Sequence, residues 1–132
     1  MFAPVLLLLL ASCAGTPKPV LSPEEAVALR AKERWDHLIA KRSDSAWEYL
    51  SPGARSMLDR DGYVTGMRTR PVRWIEAEVV GIRCEGDSCE ADVLVRTEAP
   101  LPFSGTVPGQ TVLSERWISL GGTWYYVPST LR

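Results

Sequence analysis

The stretch "RWIEAEVVGIRCEGDSCEADVLVRT", Arg73–Thr97, decides the fold, because apolar residues alternate with a period of two on both sides of one tight turn. A two-residue turn at Gly86-Asp87 places Cys84 opposite Cys89. In such a hairpin the two residues form a non-hydrogen-bonded pair with Cα atoms about 4.5 Å apart. Disulfides accept that separation. The sequence therefore predicts a hairpin closed by a disulfide worth about 2 kcal/mol.

The same register predicts which side chains share a face of the sheet. It sets Ile82 opposite Ala91 and Val80 opposite Val93, so that apolar residues meet apolar residues. A shift of one residue would send every side chain to the other face and destroy this agreement. On the other face the predicted register sets Arg83 opposite Glu90, two opposite charges, so the pairing on both faces supports that register.

Two carboxylates at the start of this stretch leave an alternative open. In a regular strand, Glu76 and Glu78 share the face of Ile82, and burial of that face would raise their pKa values. The apolar residues between the two glutamates argue equally for the opposite face. A bulge near Val79-Val80 would reconcile both patterns and leave the glutamates in solvent.

Upstream of the hairpin, the pattern predicts helices. In "LSPEEAVALRAKERWDHLIAKR", Ser22 is a helix N-cap, Pro23 occupies the first helical position and Glu25 completes a capping box. A shorter helix, capped by Ser43 or Asp44, is expected to follow. One apolar stripe of the first helix contains Val27, Ala28, Ala31, Trp35, Leu38 and Ile39.

Further along, Ser51-Pro52 starts one more helical turn or two, and "DRDGYVTG" is turn-rich. Downstream of the hairpin, "APLPFSGTVPGQ" is expected to be a loop, because prolines and glycines exclude a central strand. A second hairpin then turns at Gly121-Gly122 and sets Trp117 opposite Tyr126.

Helices followed by a meander of strands predict an α+β domain with helices on one face of a curved antiparallel sheet. The order resembles the NTF2-like superfamily (cystatin-like α+β). The resemblance lies in the long first helix with its Trp, in "AWEYLSPGARS" and in the closing "ERWISLGGTWYYV". It implies a cone-shaped pocket between helices and sheet, used for binding in many members and for catalysis in some. It also implies that homodimerisation through the outer sheet face is common.

The start of the chain, "MFAPVLLLLLASCAGTPKP", carries a different signal. Its apolar run is too short for a membrane span, which needs roughly 20 residues, and fits a secretory signal peptide. Leu10-Ala11-Ser12-Cys13 resembles the lipobox of bacterial lipoproteins. The resemblance implies cleavage before Cys13 and attachment of acyl chains such as palmitate. Ala14, rather than Asp, implies sorting to the outer membrane.

We therefore expect residues 1–12 to be a signal peptide, 13–21 a lipidated cysteine with a flexible tether, and 22–132 the NTF2-like domain. The lipid would hold the domain on the periplasmic side of the cell outer membrane. The n-region lacks Lys and Arg. An ordinary signal ending near Ala11 or Ala14, or a misassigned start site, is the alternative.

The amino-acid composition argues against several classes of function. An apolar fraction of 45% and five Trp indicate a packed globule. With 15 basic and 16 acidic residues, the net charge of −1 gives no case for nucleic-acid binding. We expect no cofactor and no metal, since zinc would need two ligands beyond Cys84 and Cys89 and the chain has one His. That residue, His37, lies opposite the apolar stripe and is expected to face water.

The remaining candidates are aromatic, acidic and basic. The aromatic residues either line an apolar pocket or simply form the core. "MRTRPVRW" either binds an anion or is a solvated loop. Candidate pocket or binding residues are Trp35, Tyr63, Glu76, Glu78, Trp117, Trp124 and Tyr126, and candidate anion contacts are Arg68, Arg70 and Arg73.

These features favour a non-enzymatic envelope lipoprotein whose domain binds a protein partner or an apolar small molecule. One alternative is a small hydrolase or isomerase that uses Glu76 or Glu78 with Tyr63 in the cone. Another is a structural subunit of an envelope assembly. No catalytic motif of the superfamily can be matched residue by residue.

Overall fold

The computed structural model describes Met1, Cys13 and residues 15–131. Residues 15–21 are exposed and form neither helix nor strand, and the predicted signal peptide lies outside the described residues except for Met1. The helices are α1 (Pro23–Ile39), α2 (Ser43–Trp47), α3 (Pro52–Met57) and α4 (Arg60–Arg68), and the strands are β1 (Arg73–Glu85), β2 (Ser88–Pro100), β3 (Thr106–Leu120) and β4 (Thr123–Val127). A 3-10 turn, Ser129–Leu131, follows β4.

Helix α1 begins as the sequence predicts. The Ser22 hydroxyl accepts from the Glu25 backbone N–H, and the Glu25 carboxylate accepts from the Ser22 N–H, which completes the capping box. Ser51 caps α3 in the same manner, by accepting from the backbone N–H of Ala54. Helix α2 differs, because its N-cap is Arg42 without a side-chain cap and Ser43 is already helical.

The four strands form one antiparallel sheet in the order β1-β2-β3-β4, with α1 packed across one face. In the first hairpin, Cys84 pairs with Cys89, and the disulfide between them is formed with a Cα–Cα distance of 4.0 Å. In the second hairpin, Trp117 pairs with Tyr126 as predicted. The fold is therefore α+β, with the predicted class and order of elements.

A β-bulge at Val80 changes the register of β1. Val79, not Val80, pairs with Val93, so the predicted pairing of Val80 was wrong. Because of this extra residue, the side chains that precede the bulge point to the opposite face of the sheet from the one a regular strand would give them. Glu76 and Glu78 consequently lie on the outer face of the sheet, exposed to solvent, which is the bulged alternative that the pattern had left open.

The loop expected over "APLPFSGTVPGQ" is present but shorter than predicted, since only residues 101–105 lie outside the strands. β2 continues to Pro100 and β3 begins at Thr106, and Pro108 pairs with Glu98. The prolines are tolerated because this part of β3 has a neighbour on only one side among the described residues.

The turn-rich "DRDGYVTG" proved to be helical. Asp59 caps α4 by accepting from the backbone N–H of Gly62, and this cap outweighs the two glycines. The helix presents Tyr63 and Met67, one turn apart, to neighbouring apolar residues. It thereby covers the end of the sheet at which the candidate site lies.

The core lies between the helices and the sheet. An apolar cluster, defined by the buried residues Val27, Ala31, Cys89, Ala91, Trp117 and Trp124, occupies the end of the sheet next to the disulfide. The segment between α2 and α3 covers the free edge of β4, where the backbone N–H of Ser51 donates to the Tyr126 carbonyl at 2.9 Å. This contact fixes Tyr126 at the border of the core.

Candidate functional site

A buried ion pair joins helix α1 to strand β3. Arg34 is only 4% exposed and Glu115 only 3%, and Arg34 Nη1 lies 2.8 Å from Glu115 Oε2. The same carboxylate accepts from Trp35 Nε1 at 2.9 Å and from Trp117 Nε1 at 3.3 Å. Both oxygens of Glu115 therefore already have donors, which offsets the cost of its burial.

Arg34 remains charged in this setting. Burial by itself would lower the pKa of Arg34, but the Glu115 carboxylate, followed by the phenols of Tyr63 and Tyr126, outweighs burial and raises the pKa above its usual value. The guanidinium carbon lies 3.8 Å from the centre of the Tyr126 ring, in a cation–π contact. We call Arg34, Glu115, Tyr63 and Tyr126 the polar cluster.

Two atoms of the polar cluster have unused hydrogen-bonding capacity. The Nε–H of Arg34 and the hydroxyl of Tyr63 are both buried, and neither has a hydrogen-bond partner among the described residues. The Tyr63 phenol lies close enough to Arg34 to affect its pKa, yet their contact lacks hydrogen-bond geometry. Buried groups of this kind are rare, and each calls for a partner.

Two adjacent cavities lie beside the polar cluster, in the cone between the helices and the sheet. One, of about 170 Å³, is lined by Trp35, Trp74 and Glu115 among others, and the second, of about 190 Å³, by Tyr63 and Leu58 among others. The residues that line both are Arg34, Met67, Arg70, Tyr126 and Ser129. The polar cluster thus forms the inner wall of a small cone.

The three candidate anion contacts are divided by the structure. The Arg70 guanidinium carbon lies 4.9 Å from the centre of the Trp74 ring, and Arg70 lines both cone cavities. Arg68 and Arg73 line an adjoining groove of about 150 Å³, which Arg70 also lines, but neither of them lines a cone cavity, and Arg73 lies 3.8 Å from a Glu98 oxygen. Only Arg70 joins the site.

The candidate carboxylates lie elsewhere. Glu76 is exposed and paired with Arg96 on the outer face of the sheet, and Glu78 is also exposed. The bulge at Val80 is the physical reason, since it turns both away from the cone. The structure therefore does not bring Glu76 or Glu78 close to Tyr63, as the enzyme alternative requires.

The candidate aromatic residues have different environments. Trp117 and Trp124 are core residues, 0% and 9% exposed. Trp35, Tyr63 and Tyr126 line the cavities. Both alternatives for the aromatic residues therefore apply, since some form the core and others line the cone.

The remaining polar candidates lie away from the cone. His37 is half-buried, and its Nδ1 accepts from Arg42 Nε at 3.0 Å on the outside of α1. Cys13 is exposed and takes no part in the disulfide. None of the helices in the described part of the chain is long and apolar enough to cross a membrane.

The sequence analysis missed Arg34 and Glu115, although a signal was present. Arg34 follows Ala31 by three positions and precedes Leu38 by four, which puts it on the buried stripe of α1. Glu115 precedes Trp117 by two positions and so shares its strand face. Two opposite charges on inward-facing positions predict a buried pair.

Comparison with solved structures identifies the fold. A SEC-C motif protein from Rhodopseudomonas palustris superposes with a TM-score of 0.62 at 20% identity, over 81% of this chain and 76% of that one. The CaMKII hub homology domain of Chlamydomonas reinhardtii gives 0.57 at 15% identity, over 80% and 94%. A protein described as an NTF2-like transpeptidase from Campylobacter jejuni gives 0.52 at 14% identity, over 82% and 100%.

No family model matches the chain, and no curated protein matches it by sequence. The structural likeness, at these identities, shows the fold alone. The chain is an α+β domain with an NTF2-like fold.

Proposed function

We propose that this chain is a lipid-anchored envelope protein whose NTF2-like domain binds a small ligand in its cone. The observation that carries the proposal is the pair of cavities of about 170 and 190 Å³, lined by Arg34, Arg70 and Tyr126. A concave site with apolar walls and a few convergent polar groups is the usual form of a small-molecule site.

The state of Glu115 favours binding over catalysis. A general base needs a free lone pair directed at the proton it removes. Both Glu115 oxygens already accept hydrogen bonds, from Arg34, Trp35 and Trp117. This carboxylate therefore has a structural role and is not positioned to remove a proton from a substrate. The hydrolase or isomerase alternative loses its expected carboxylates, since Glu76 and Glu78 lie on the outer face.

The cone also argues against a purely structural subunit. Such a subunit would fill the cone and present aromatic residues on the outer sheet face. Here the cone contains space, and Trp117 and Trp124 are buried beneath the helices. A protein partner or a second copy on the outer face stays a prediction, with Val80 and Val112 exposed there.

Nuclear magnetic resonance with a mixed set of anionic, neutral and cationic fragments tests the binding proposal. Shifts should appear at the side chains of Trp35, Tyr63 and Met67. Ser129→Trp should abolish them, because Ser129 lines both cavities and is itself exposed. Ser104→Trp, at an exposed position in the β2–β3 turn, is the matched control and should leave them intact. If no fragment shifts these resonances, ligand binding in the cone is refuted.

The lipid anchor has support of a different kind. The lipobox-like Leu10-Ala11-Ser12-Cys13 precedes an exposed segment, residues 15–21, that would separate the lipid from the domain. The disulfide between Cys84 and Cys89 agrees with an oxidising, exported compartment. Cys13→Ser should remove acylation and membrane fractionation. Unchanged mass and fractionation of that variant would refute the anchor.

A further inference from the structure

The polar cluster also indicates the chemistry of the ligand, an inference that rests on the proposed binding function. Arg34 Nε and Tyr63 Oη are buried donors without hydrogen-bond partners in the described part of the chain, and both residues line the cavity of about 190 Å³. An arginine has donors and no acceptor, so only an acceptor on the ligand can complete its hydrogen bonds. The ligand must therefore bring an acceptor to this wall.

The charge balance of the cone favours a negatively charged acceptor. Glu115 is neutralised by Arg34 at 2.8 Å. Arg70 lines both cavities, and no carboxylate in the described part of the chain lies within salt-bridge distance of it. The cone thus carries one uncompensated positive charge, and charge-assisted hydrogen bonds are the stronger ones.

The size and lining of the cone restrict the anion further. Leu58, Met67 and Pro128 supply apolar wall in the cavity of about 190 Å³. At about 30 Å³ per water-sized group, that volume holds roughly six or more non-hydrogen atoms. A carboxylate with a short aliphatic chain matches both the donors and the apolar wall.

We infer that the cone binds a short aliphatic carboxylic acid. Its carboxylate accepts from Arg34 Nε and Tyr63 Oη, Arg70 adds charge at the mouth, and the aliphatic chain packs against Leu58 and Met67. Binding supplies the partners that the two buried donors lack in the free protein.

Calorimetric titration with butanoate, butanamide and 1-butylamine tests this inference. Butanoate should bind, and butanamide should bind about tenfold or more weakly, because it loses charge-assisted hydrogen bonds. Butylamine should not bind. Equal affinities for the acid and the amide, or a preference for the amine, would overturn the inference while leaving a ligand-binding cone in place. Failure of every fragment, charged or neutral, in the resonance experiment above would remove both proposals.

Three variants distinguish the contribution of the named residues to binding from the effect of positive charge in general. Tyr63→Phe should weaken butanoate binding about tenfold and leave the melting temperature unlowered, because the deleted hydroxyl has no hydrogen-bond partner among the described residues. Arg70→Gln should also weaken binding. Arg68→Gln removes an equal charge two residues away, outside both cone cavities, and should bind as the wild type does. Folded Tyr63→Phe and Arg70→Gln proteins with wild-type affinity would refute the assignment.

Discussion

The apolar cluster next to the disulfide and the polar cluster at the cone are built on the same face of the same sheet, yet they differ in how completely their groups are satisfied. In the apolar cluster, Trp117 and Ala91 are 0% exposed, and the helices pack directly on them. In the polar cluster, Arg34 and Tyr63 each have a buried donor without a partner among the described residues, and both residues line a cavity. A filled apolar core contributes stability, whereas unsatisfied buried groups cost stability until a partner satisfies them.

Trp117→Ala should give the largest loss of stability. Removal of a fully buried indole costs about 4 kcal/mol in transfer free energy and cavity formation. Trp74→Ala, at the half-buried margin of the cone, is the matched control and should lose less. Urea unfolding of both variants measures the difference. Equal losses would contradict the view that the apolar cluster carries more stability than the cone.

Glu115→Gln should destabilise the fold by about 3 kcal/mol, because it leaves the Arg34 charge buried without its partner. Replacement of the pair, in Arg34→Met with Glu115→Gln, should recover part of that loss. A double-mutant cycle from urea unfolding measures the coupling. Additive losses in the cycle would show that the two residues do not act as a buried pair.

Loss of the disulfide should have a smaller effect. Cys84→Ala with Cys89→Ala should lower the free energy of unfolding by about 2 kcal/mol, since the bond closes only a short loop. Reduction of the wild-type protein provides the control and should give the same loss. Fragment binding should persist in the folded variant, because the bond lies in the apolar cluster and not at the cone. Loss of binding would show that the two regions are coupled.

A substitution in an ion pair on the outer face of the sheet should have the smallest effect on stability. The hydrogen bond from Arg83 to Asp92, at 2.8 Å, lowers the pKa of that carboxyl below its usual value of about 3.9. The stabilisation is therefore present above the unfolded-state pKa and is lost as pH falls through the folded-state pKa. Arg83→Gln should raise the pKa of Asp92 in a resonance titration.

Arg96→Gln is the control for that measurement, because Arg96 pairs with Glu76 on the same face. Its removal should leave the pKa of Asp92 unchanged. A pKa for Asp92 that does not respond to Arg83→Gln would contradict the assignment of the shift to this ion pair. Exposed pairs of this kind contribute little to stability, in contrast to the buried pair of Arg34 and Glu115.

Much of the fold was predictable because it depends on short-range patterns. The hairpin turn at Gly86-Asp87 and the cap at Ser22 involve residues within a few positions of one another, and both formed as predicted. Helix α4 was missed because the Asp59 cap outweighed the glycines. The extension of β3 was missed because only the tertiary arrangement shows that Pro108 lies on a strand segment with one neighbour.

The candidate site was less predictable. Tyr63, Tyr126 and Arg70 were candidates before the structure was known, but nothing local separated Arg70 from Arg68 and Arg73. The segment between α4 and β1 places Arg70 at the cone cavities as well as at the adjoining groove, whereas Arg68 and Arg73 line the groove alone. Likewise, a single extra residue at Val80 decided that Glu78 and Glu76 face solvent.

The sequence by itself determined the class of the domain, the pairing of Cys84 with Cys89 and the inward-facing positions of helix and strand, because backbone periodicity and local hydrogen bonds specify them. Only the tertiary structure decided that Arg34 meets Glu115 across 81 positions of sequence, and that the cone beside them stays open. Contacts between distant segments depend on how whole elements pack, and no short-range pattern encodes the space left between them.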